Sequence, residues 1–336
     1  MTDIVGMHSC EGYPASPDLE VLVCTHDRSG LLQLMLSSLN QCKRPKDCQI
    51  GIFVVANACS DDTAVALDNY VQSSDIKEAC IPLRWMVDPV PGKSHALNSS
   101  LPLARAPLIA FVDDDHRIGG DYLEAVWQTA NEQPNADFFC GRILPDWDGS
   151  EPAWVHDKGR YRVYPLPVPK FDLGPSTGFV EPGSATPGGG NLAIRRYLFE
   201  RVGPFELDLG PQGHNLGGAE DIEWVRRGVA LGARLYYSPR MLQHHYVDSE
   251  RMTLRYVLQK AYERSASTSR IAPNLDGDQF LPPYMLRKAL TYGLQALISL
   301  SGDRRRFFLT RLAAALGEIK GYRQQQQSRA VKEVQR

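Results

Sequence analysis

The sequence predicts an α/β fold: a mostly parallel sheet flanked by helices, with a helical extension at the C-terminal end. Short apolar runs and amphipathic stretches alternate four times before Asn131. Each apolar run ends in a polar loop, the pattern of buried parallel strands feeding surface helices. Beyond Arg251 the strand signal stops and long helical stripes replace it. The 336 residues, 43% hydrophobic and 23% charged, suit an ordinary globular chain of one large or two smaller domains. No apolar run nears the roughly 20 residues that span a bilayer, and the first 17 residues lack the pattern of a signal peptide. Seven cysteines without a Cys-x-x-Cys pair favour reduced thiols and a cytoplasmic setting.

After a loose polar start, Leu19 to Thr25 is the first strand, and Asp27 and Ser29 offer caps to a helix over Gly30 to Leu39. Gln49 to Ala56 is the second strand, and the loop from Asn57 to Asp62 leads to a helix ending near Val71. Leu83 to Val87 is the third. Gly92-Lys93-Ser94 then opens a helix from about His95 that Pro102 disturbs. Pro107 to Val112 is the fourth strand, ending in Asp113, Asp114 and Asp115, and a helix covers Asp121 to Asn131. Ligands of open α/β sheets bind at the carboxyl ends of strands, so Thr25, Asp27, Asn57, Asp61, Lys93, Asp113 and Asp115 share one rim.

Three adjacent carboxylates repel one another and are costly to bury without a compensating cation. On an extended chain Asp113 and Asp115 point one way and Asp114 the other. Such a pair suits a hard divalent ion, Mg²⁺ or Mn²⁺. An exposed acidic turn capping the next helix is the alternative. No G-x-G-x-x-G follows the first strand and no G-x-x-x-x-G-K-[ST] occurs, which argues against a dinucleotide or P-loop site. A polyanion here would be held by metal and by backbone at helix starts.

From Asp137 to Gly190 the chain begins with a candidate strand, Phe138 to Cys140, and turns rich in Pro, Gly and aromatics, among them Trp147, Trp154, Tyr161 and Tyr164. So long a loop-dominated stretch is functional or disordered; Trp147 and Trp154 are candidates to stack on a sugar, with plain packing the alternative. Gly188-Gly189-Gly190-Asn191 opens a strand over Leu192 to Ile194 and either lets backbone pass close to a ligand or makes a tight turn. Glu220, Asp221 and Glu223 head a helix to about Leu231. First-turn acids suit the helix dipole, which accounts for Glu223. The lead-in Gly217-Gly218 leaves Glu220 and Asp221 open to a substrate hydroxyl, as a catalytic base requires. A strand over Arg234 to Tyr237 ends before His244 and His245, one of which can join the aspartates as a metal ligand while the other is structural.

Met252 to Arg270 and Tyr284 to Tyr322 read as helices, the second breaking near Ser301-Gly302, with a polar frayed end from Gln324. Ala289 to Leu300, with Arg304, Arg305 and Arg306 beside Phe307 and Phe308, fits peripheral membrane contact, packing on the main domain or a homodimer contact. From Arg251 on, 16 basic residues face 6 acidic ones, although the whole chain is at −2. That asymmetry suits anionic partners, and equally solvated helix faces.

Together these pieces resemble a family-2, inverting glycosyltransferase of GT-A fold, over roughly Leu19 to Arg270. V-C-T-H-D-R matches the first strand and donor-contacting loop, V-A-N-A-C-S-D-D-T the second-strand motif, G-K-S-H-A-L-N the third, and F-V-D-D-D the D-x-D metal site. G-G-G-N-L-A-I-R-R is similar to the acceptor-side strand, G-G-A-E-D-I-E-W to the motif that supplies the base, and H-Y-V-D-S-E-R to the segment whose histidine, here His245, completes the metal or diphosphate site. The chain departs from the family in carrying Ala56 where a base-contacting acid is common, and Leu97 in place of an arginine.

The resemblance implies a nucleotide-sugar half over 18–135 and an acceptor half over 136–250, preceded by a flexible 1–17 and followed by a helical 251–323 and a polar 324–336. It implies Mn²⁺ or Mg²⁺ on Asp113, Asp115 and His245. Donor contacts fall to Thr25, Asp27, Arg28, Asn57, Asp61, Lys93, Asp113 and Asp114, with uridine the default base. By the same resemblance Asp221 would be the base, with Glu220 in reserve, and Trp147, Trp154, Gly190 and Asn191 would hold the acceptor. The partners it implies are a nucleotide-sugar donor and a glycan, lipid-linked or small-molecule acceptor, with no nucleic acid, and the expected place is the cytoplasm or the inner face of the membrane. The rivals are a sugar-phosphate nucleotidyltransferase, whose glycine-rich basic loop is missing near Thr25, a paired-carboxylate hydrolase, and a non-catalytic sugar-binding protein of the same fold.

Overall fold

The computed structural model describes residues 5–74, 80–163, 166, 168–181, 183–209, 219–270 and 281–334. These fall into two compact units: residues 1–146, 170–213 and 220–246, and residues 147–169, 214–219 and 247–336. The first unit is built on one ten-stranded sheet. In chain order its strands are β1 (Val5–Ser9), β2 (Leu19–Thr25), β3 (Ile50–Asn57), β4 (Leu83–Asp88), β5 (Leu108–Phe111), β6 (His116–Ile118), β7 (Phe138–Asp146), β8 (Gly178–Phe179), β9 (Leu192–Arg195) and β10 (Leu235–Tyr246). β4, β3, β2 and β5 lie side by side and parallel, the run expected from the four alternations. β9 joins β5 antiparallel, β7 pairs β9 antiparallel, and β10 runs parallel to β7. β6 and β8 add antiparallel pairs to β10.

Side-chain alternation along β2 and β3 sorts the core into two faces. Leu19, Val21, Val23, Ile52 and Val54 meet α1 (Ser29–Asn40), α2 (Thr63–Ser74) and α4 (Tyr122–Glu132). Leu22, Phe53 and Val55 meet α3 (Lys93–Ser100), α5 (Arg196–Val202) and α6 (Glu220–Ala230). A charged residue interrupts this alternation at Glu20, fully buried beside Arg84 of β4. Arg84 donates from Nε and Nη2 to Glu20 Oε1 at 3.0 and 2.8 Å, Arg105 N–H donates to Oε2, and the Arg84 guanidinium lies 3.9 Å from the Phe53 ring centroid. Tyr13 also donates to Glu20, and its ring occupies the place where a Cβ on Gly51 would stand, 2.5 Å from the hydroxyl. A buried pair this well bonded is costly to break from one side only.

Four expectations change. Residues 5–9, read as a loose start, form β1 antiparallel to β4, with His8 stacked on Trp85 at 4.3 Å. An edge strand facing solvent needs no apolar alternation, so it left no signal. The strand expected to end at Tyr237 continues to Tyr246, so His244 and His245 sit within β10. The boundary expected near 250 gives way to a unit that also takes up residues 147–169. The polar end expected to fray from Gln324 continues as helix to Val334, a run without Pro or Gly and rich in helix formers. Tyr164 and the Gly217-Gly218 lead-in lie outside the described residues.

In the second unit α7 (Leu254–Arg270), α8 (Pro283–Ile298) and α9 (Gly302–Val334) pack together, with the break at Ser301 as expected. Gly317 and Gly321 of α9 bring its backbone close to α7: added Cβ atoms would fall 2.0 and 2.1 Å from the Tyr262 and Ala266 carbonyls. Trp147 and Trp154 pack on Val155, Val168, Val247 and Met252 in a small cluster of this unit.

Replacing Glu20 with Ala strands a buried guanidinium and should lower unfolding free energy by about 3–5 kcal/mol. Urea denaturation measures it, and adding Arg84→Met should restore much of the loss. A loss below about 1 kcal/mol in the single variant would remove the pair from its structural role.

Candidate active site

β5 stops at Phe111, and the chain turns at once, with the His116 N–H donating to the Asp113 carbonyl at 3.2 Å. The three aspartates therefore lie on a turn, not an extended strand, and the alternation expected of them does not hold. Each finds its own partner. Lys93 Nζ donates to Asp113 Oδ1 at 2.6 Å. Thr25 Oγ1 donates to Asp114 Oδ2 at 2.8 Å. Arg28 Nη1 bridges Asp114 and Asp115 at 3.0 and 2.9 Å.

Burial opposes ionisation of all three, and their neighbours decide the outcome. For Asp113 the Lys93 ammonium, then His116, prevail and hold it well below the usual carboxylate range. Asp114 is pushed up to about 6, by burial and then by the charge of Asp115. Asp115 is held low against burial by His245, His116 and Arg28, of which Arg28 carries the permanent charge. Burial would also lower the Lys93 pKa, but Asp113, Glu220 and Asp221 reverse this and hold its ammonium charged.

Three buried donors converge at one side of the turn. Asp115, His116 and His245 bring ligand atoms within 4.8 Å of one another. His245 Nε2 stands 3.6 Å and His116 Nε2 3.9 Å from Asp115 oxygens. The imidazoles are oriented from behind. His245 Nδ1–H donates to its neighbour Tyr246's carbonyl at 2.7 Å, and His116 Nδ1–H to Gln243 Oε1. Each Nε2 is thereby left with its lone pair, and that of His116 is buried without a protein partner. An oxygen accepting from one ring nitrogen and a free lone pair on the other is the arrangement of a metal-ligating histidine. Burial drives the His245 pKa down and so favours the neutral, ligating form. These residues fit a divalent cation. Asp113, expected among the ligands, is not one of the three; its carboxylate is held by Lys93. His116 was missed, although it follows the aspartates directly; strand parity assigned roles only to the acids. Gln243 left no signal.

A bulge decides which way β10 faces. Leu235 and Tyr237 belong to one core face, whereas Met241 belongs to the other. The pairing with β7 shifts register between Tyr237 and Leu242. Such a slip moves alternate side chains across the sheet, and it puts Gln243 and His245 inward and His244 outward, 4.0 Å from Asp146. Gly141 of β7 admits the bulge, since a Cβ there would lie 1.9 Å from the Met241 carbonyl. Asn191, expected to touch an acceptor, is buried and clamps the sheet: it donates from Nδ2 to the Arg142 and Met241 carbonyls, both at 2.8 Å.

The glycine turn before β9 separates two acidic groups at close range. A Cβ on Gly190 would fall 2.3 Å from Asp113 Oδ2 and 2.9 Å from His116 Cε1. One residue earlier, Gly189 N–H donates to Asp221 Oδ2. Only backbone fits here, and what passes close to the glycines is the side chains of Asp113, His116 and Asp221. Asp221 heads α6 and is partly exposed, whereas Glu220 is buried.

The remaining rim residues hold loops. Asp27 Oδ1 accepts from the Ser60 and Asp61 amides, and Asp61 accepts from the amides of Ser29 and Thr63. Asn57, buried, accepts from Gly92 N–H at 2.8 Å and donates to the Val90 carbonyl at 2.7 Å. Their side chains brace the loops after β2, β3 and β4, with Asp27 and Asp61 exposed at the rim and Asn57 buried beneath it. Trp147 and Trp154 belong to the second unit.

A parallel sheet whose carboxyl rim gathers carboxylates, two cations and a pair of oriented imidazoles is a nucleotide-sugar architecture. Residues 20–203 match the family described as Glycosyl transferase family 2, and the chain belongs to that family. It is a glycosyltransferase. Asp221 and His245 lie beyond the matched span. The chain is 22% identical, over 254 residues, to the succinoglycan biosynthesis protein ExoM of Rhizobium meliloti (strain 1021), covering 75% of this chain and 74% of that protein. In fold it is similar to the mannosyltransferase PcManGT of Pyrobaculum calidifontis in complex with GDP-Man and Mn²⁺, with TM-score 0.57 and 17% identity over 94% of this chain and 89% of that one. It is also similar to a TarS fragment of S. aureus in complex with UDP, with TM-score 0.52 and 16% identity over 94% and 92%.

Gln243→Leu, which frees the His116 ring, should weaken Mn²⁺ binding by roughly 10–100-fold, and His116→Ala at least as much, by titration calorimetry. Unchanged affinity in both would take His116 out of the centre. Beside the aspartates, Cys24 has its thiol pushed up to about 12 by burial. At pH 8 only roughly one molecule in ten thousand is thiolate, so peptide mapping after iodoacetamide should find Cys24 unmodified in folded protein and modified after denaturation.

Proposed function

We propose that this glycosyltransferase moves a sugar from a nucleoside diphosphate to a hydroxyl acceptor in one metal-dependent, inverting displacement. The observation that carries the reading is the convergence of Asp115 with two imidazoles whose Nε2 lone pairs are kept free by partners on Nδ1. Asp115, His116 and His245 would hold the ion. Two nitrogen donors favour Mn²⁺ over Mg²⁺, which prefers oxygen. When bound, the ion would stabilise the growing charge of the departing diphosphate as a Lewis acid.

The chain's own groups supply the rest. Lys93 is held charged between Asp113 and the acids of α6, so it can meet a phosphate oxygen as that oxygen gains charge. Arg28, now bridging Asp114 and Asp115, is a second cation at the rim. Asp221 takes the proton of the acceptor hydroxyl. The acceptor oxygen bonds the anomeric carbon as the bond to the diphosphate oxygen breaks, and that oxygen leaves with the electron pair. One displacement on the opposite face inverts the centre. Asp221 serves better than Glu220 because it is the less buried of the two, and a base must reach its substrate.

The donor base is best approached through the fold relatives, whose complexes hold GDP-Man in one case and UDP in the other. We take uridine as the base, following the family resemblance. The likeness to a succinoglycan biosynthesis protein supports a role in surface polysaccharide or glycoconjugate synthesis.

Thermal shift with UDP and GDP, each with and without Mn²⁺, tests donor and ion together. A ligand at 100 times its Kd should add about 2.7 kcal/mol to folded-state stability, and only the Mn²⁺–UDP pair is expected to approach this. Asp221→Asn should abolish transfer while keeping that shift. Native turnover in Asp221→Asn would refute the base assignment.

A further inference from the structure

Helix α8 has two unlike faces. Met285 and Ala289 turn into the core of the second unit, beside Ala315, Ile319 and Tyr322 of α9. The opposite face carries Leu286, Leu290, Leu294 and Leu297, spaced by four, four and three residues, which aligns them in one stripe. They are 49%, 74%, 59% and 83% exposed, and Leu300 just past the helix end is fully exposed. Tyr284 and Ile298 extend the patch. Isolated exposed leucines need no explanation, but a contiguous row marks an interaction surface.

Charge chooses the occupant. Arg287 and Lys288 are the only charged residues of α8, Lys288 being paired with Glu318 at 2.6 Å, and the first turn of α9 adds Arg304 and Arg305. Arg287 and Arg305 are exposed. The acid of that turn, Asp303, is held by Arg306 at 2.5 Å. A second copy docking through the same face would bring a second α8 with the same two cations and no acid to meet them. An anionic lipid surface offers opposite charge and an apolar layer beneath it. With 16 residues, α8 is about 24 Å long, short of the bilayer core, and no described helix is long and apolar enough to cross a membrane.

We propose that the exposed leucine face of α8 docks this protein onto an anionic lipid bilayer, lying in the interface with Arg287 and Arg305 toward the headgroups. This inference stands apart from the transfer chemistry, since it uses no residue of the active site.

Flotation of the full chain with phosphatidylglycerol–phosphatidylcholine vesicles, and with phosphatidylcholine alone, tests it. Binding is expected to the anionic vesicles and to weaken at least tenfold on neutral ones. Leu290→Glu/Leu297→Glu should lose at least tenfold on both. Arg287→Gln/Arg305→Gln should lose the preference for anionic lipid. Both pairs are exposed, so unchanged melting temperature and an unchanged Mn²⁺–nucleotide shift show that the variants are folded. The proposal is overturned by absence of flotation, by flotation indifferent to the leucine pair, or by a micromolar dimer that those substitutions dissociate.

Discussion

Three consecutive carboxylates at the end of a buried strand set the terms for the rest of this structure. Asp114 and Asp115 are almost wholly enclosed, and like charges so close oppose both burial and one another. The fold answers with cations from two different loops, Arg28 before α1 and Lys93 at the start of α3, and with imidazoles from β6 and β10. The loops that carry Arg28 and Lys93 must therefore be held firmly. Asp27, Asn57 and Asp61 do this, accepting backbone amides across the ends of β2, β3 and β4. The same balance suits the chemistry proposed above, because charge already arranged around carboxylates can meet a diphosphate and a divalent ion.

The second half of the sheet completes the centre through irregularity. A straight β10 would put His245 on the wrong side of the sheet. The bulge that corrects this needs Gly141 opposite it and Asn191 to bind the carbonyl it displaces. Gly190, next along the chain, has no room for a side chain between Asp113 and His116. Glycine and asparagine here act through the backbone: they let two acidic groups, Asp113 and Asp221, approach from opposite sides of one thin turn. Membership of the glycosyl transferase family 2 accounts for the sheet that presents these groups, while the pairing of two oriented histidines with Asp115 comes from this chain's own β6 and β10.

The sequence alone determined the parallel sheet, the helices that cover it and the acidic rim, because hydrophobic periodicity and strand-end loops are local properties. It also marked Asp115, His245, Lys93, Asp221 and the glycine turn as belonging together. Only the tertiary structure brought Lys93 to Asp113 and His116 beside Asp115. It likewise tied Asn191 to two carbonyls and made β1 from a stretch with no apolar pattern. In each case the physical reason is the same. A turn in place of a strand, or one residue of slip in a ladder, changes which side chains meet, and both are set by partners far away in the chain.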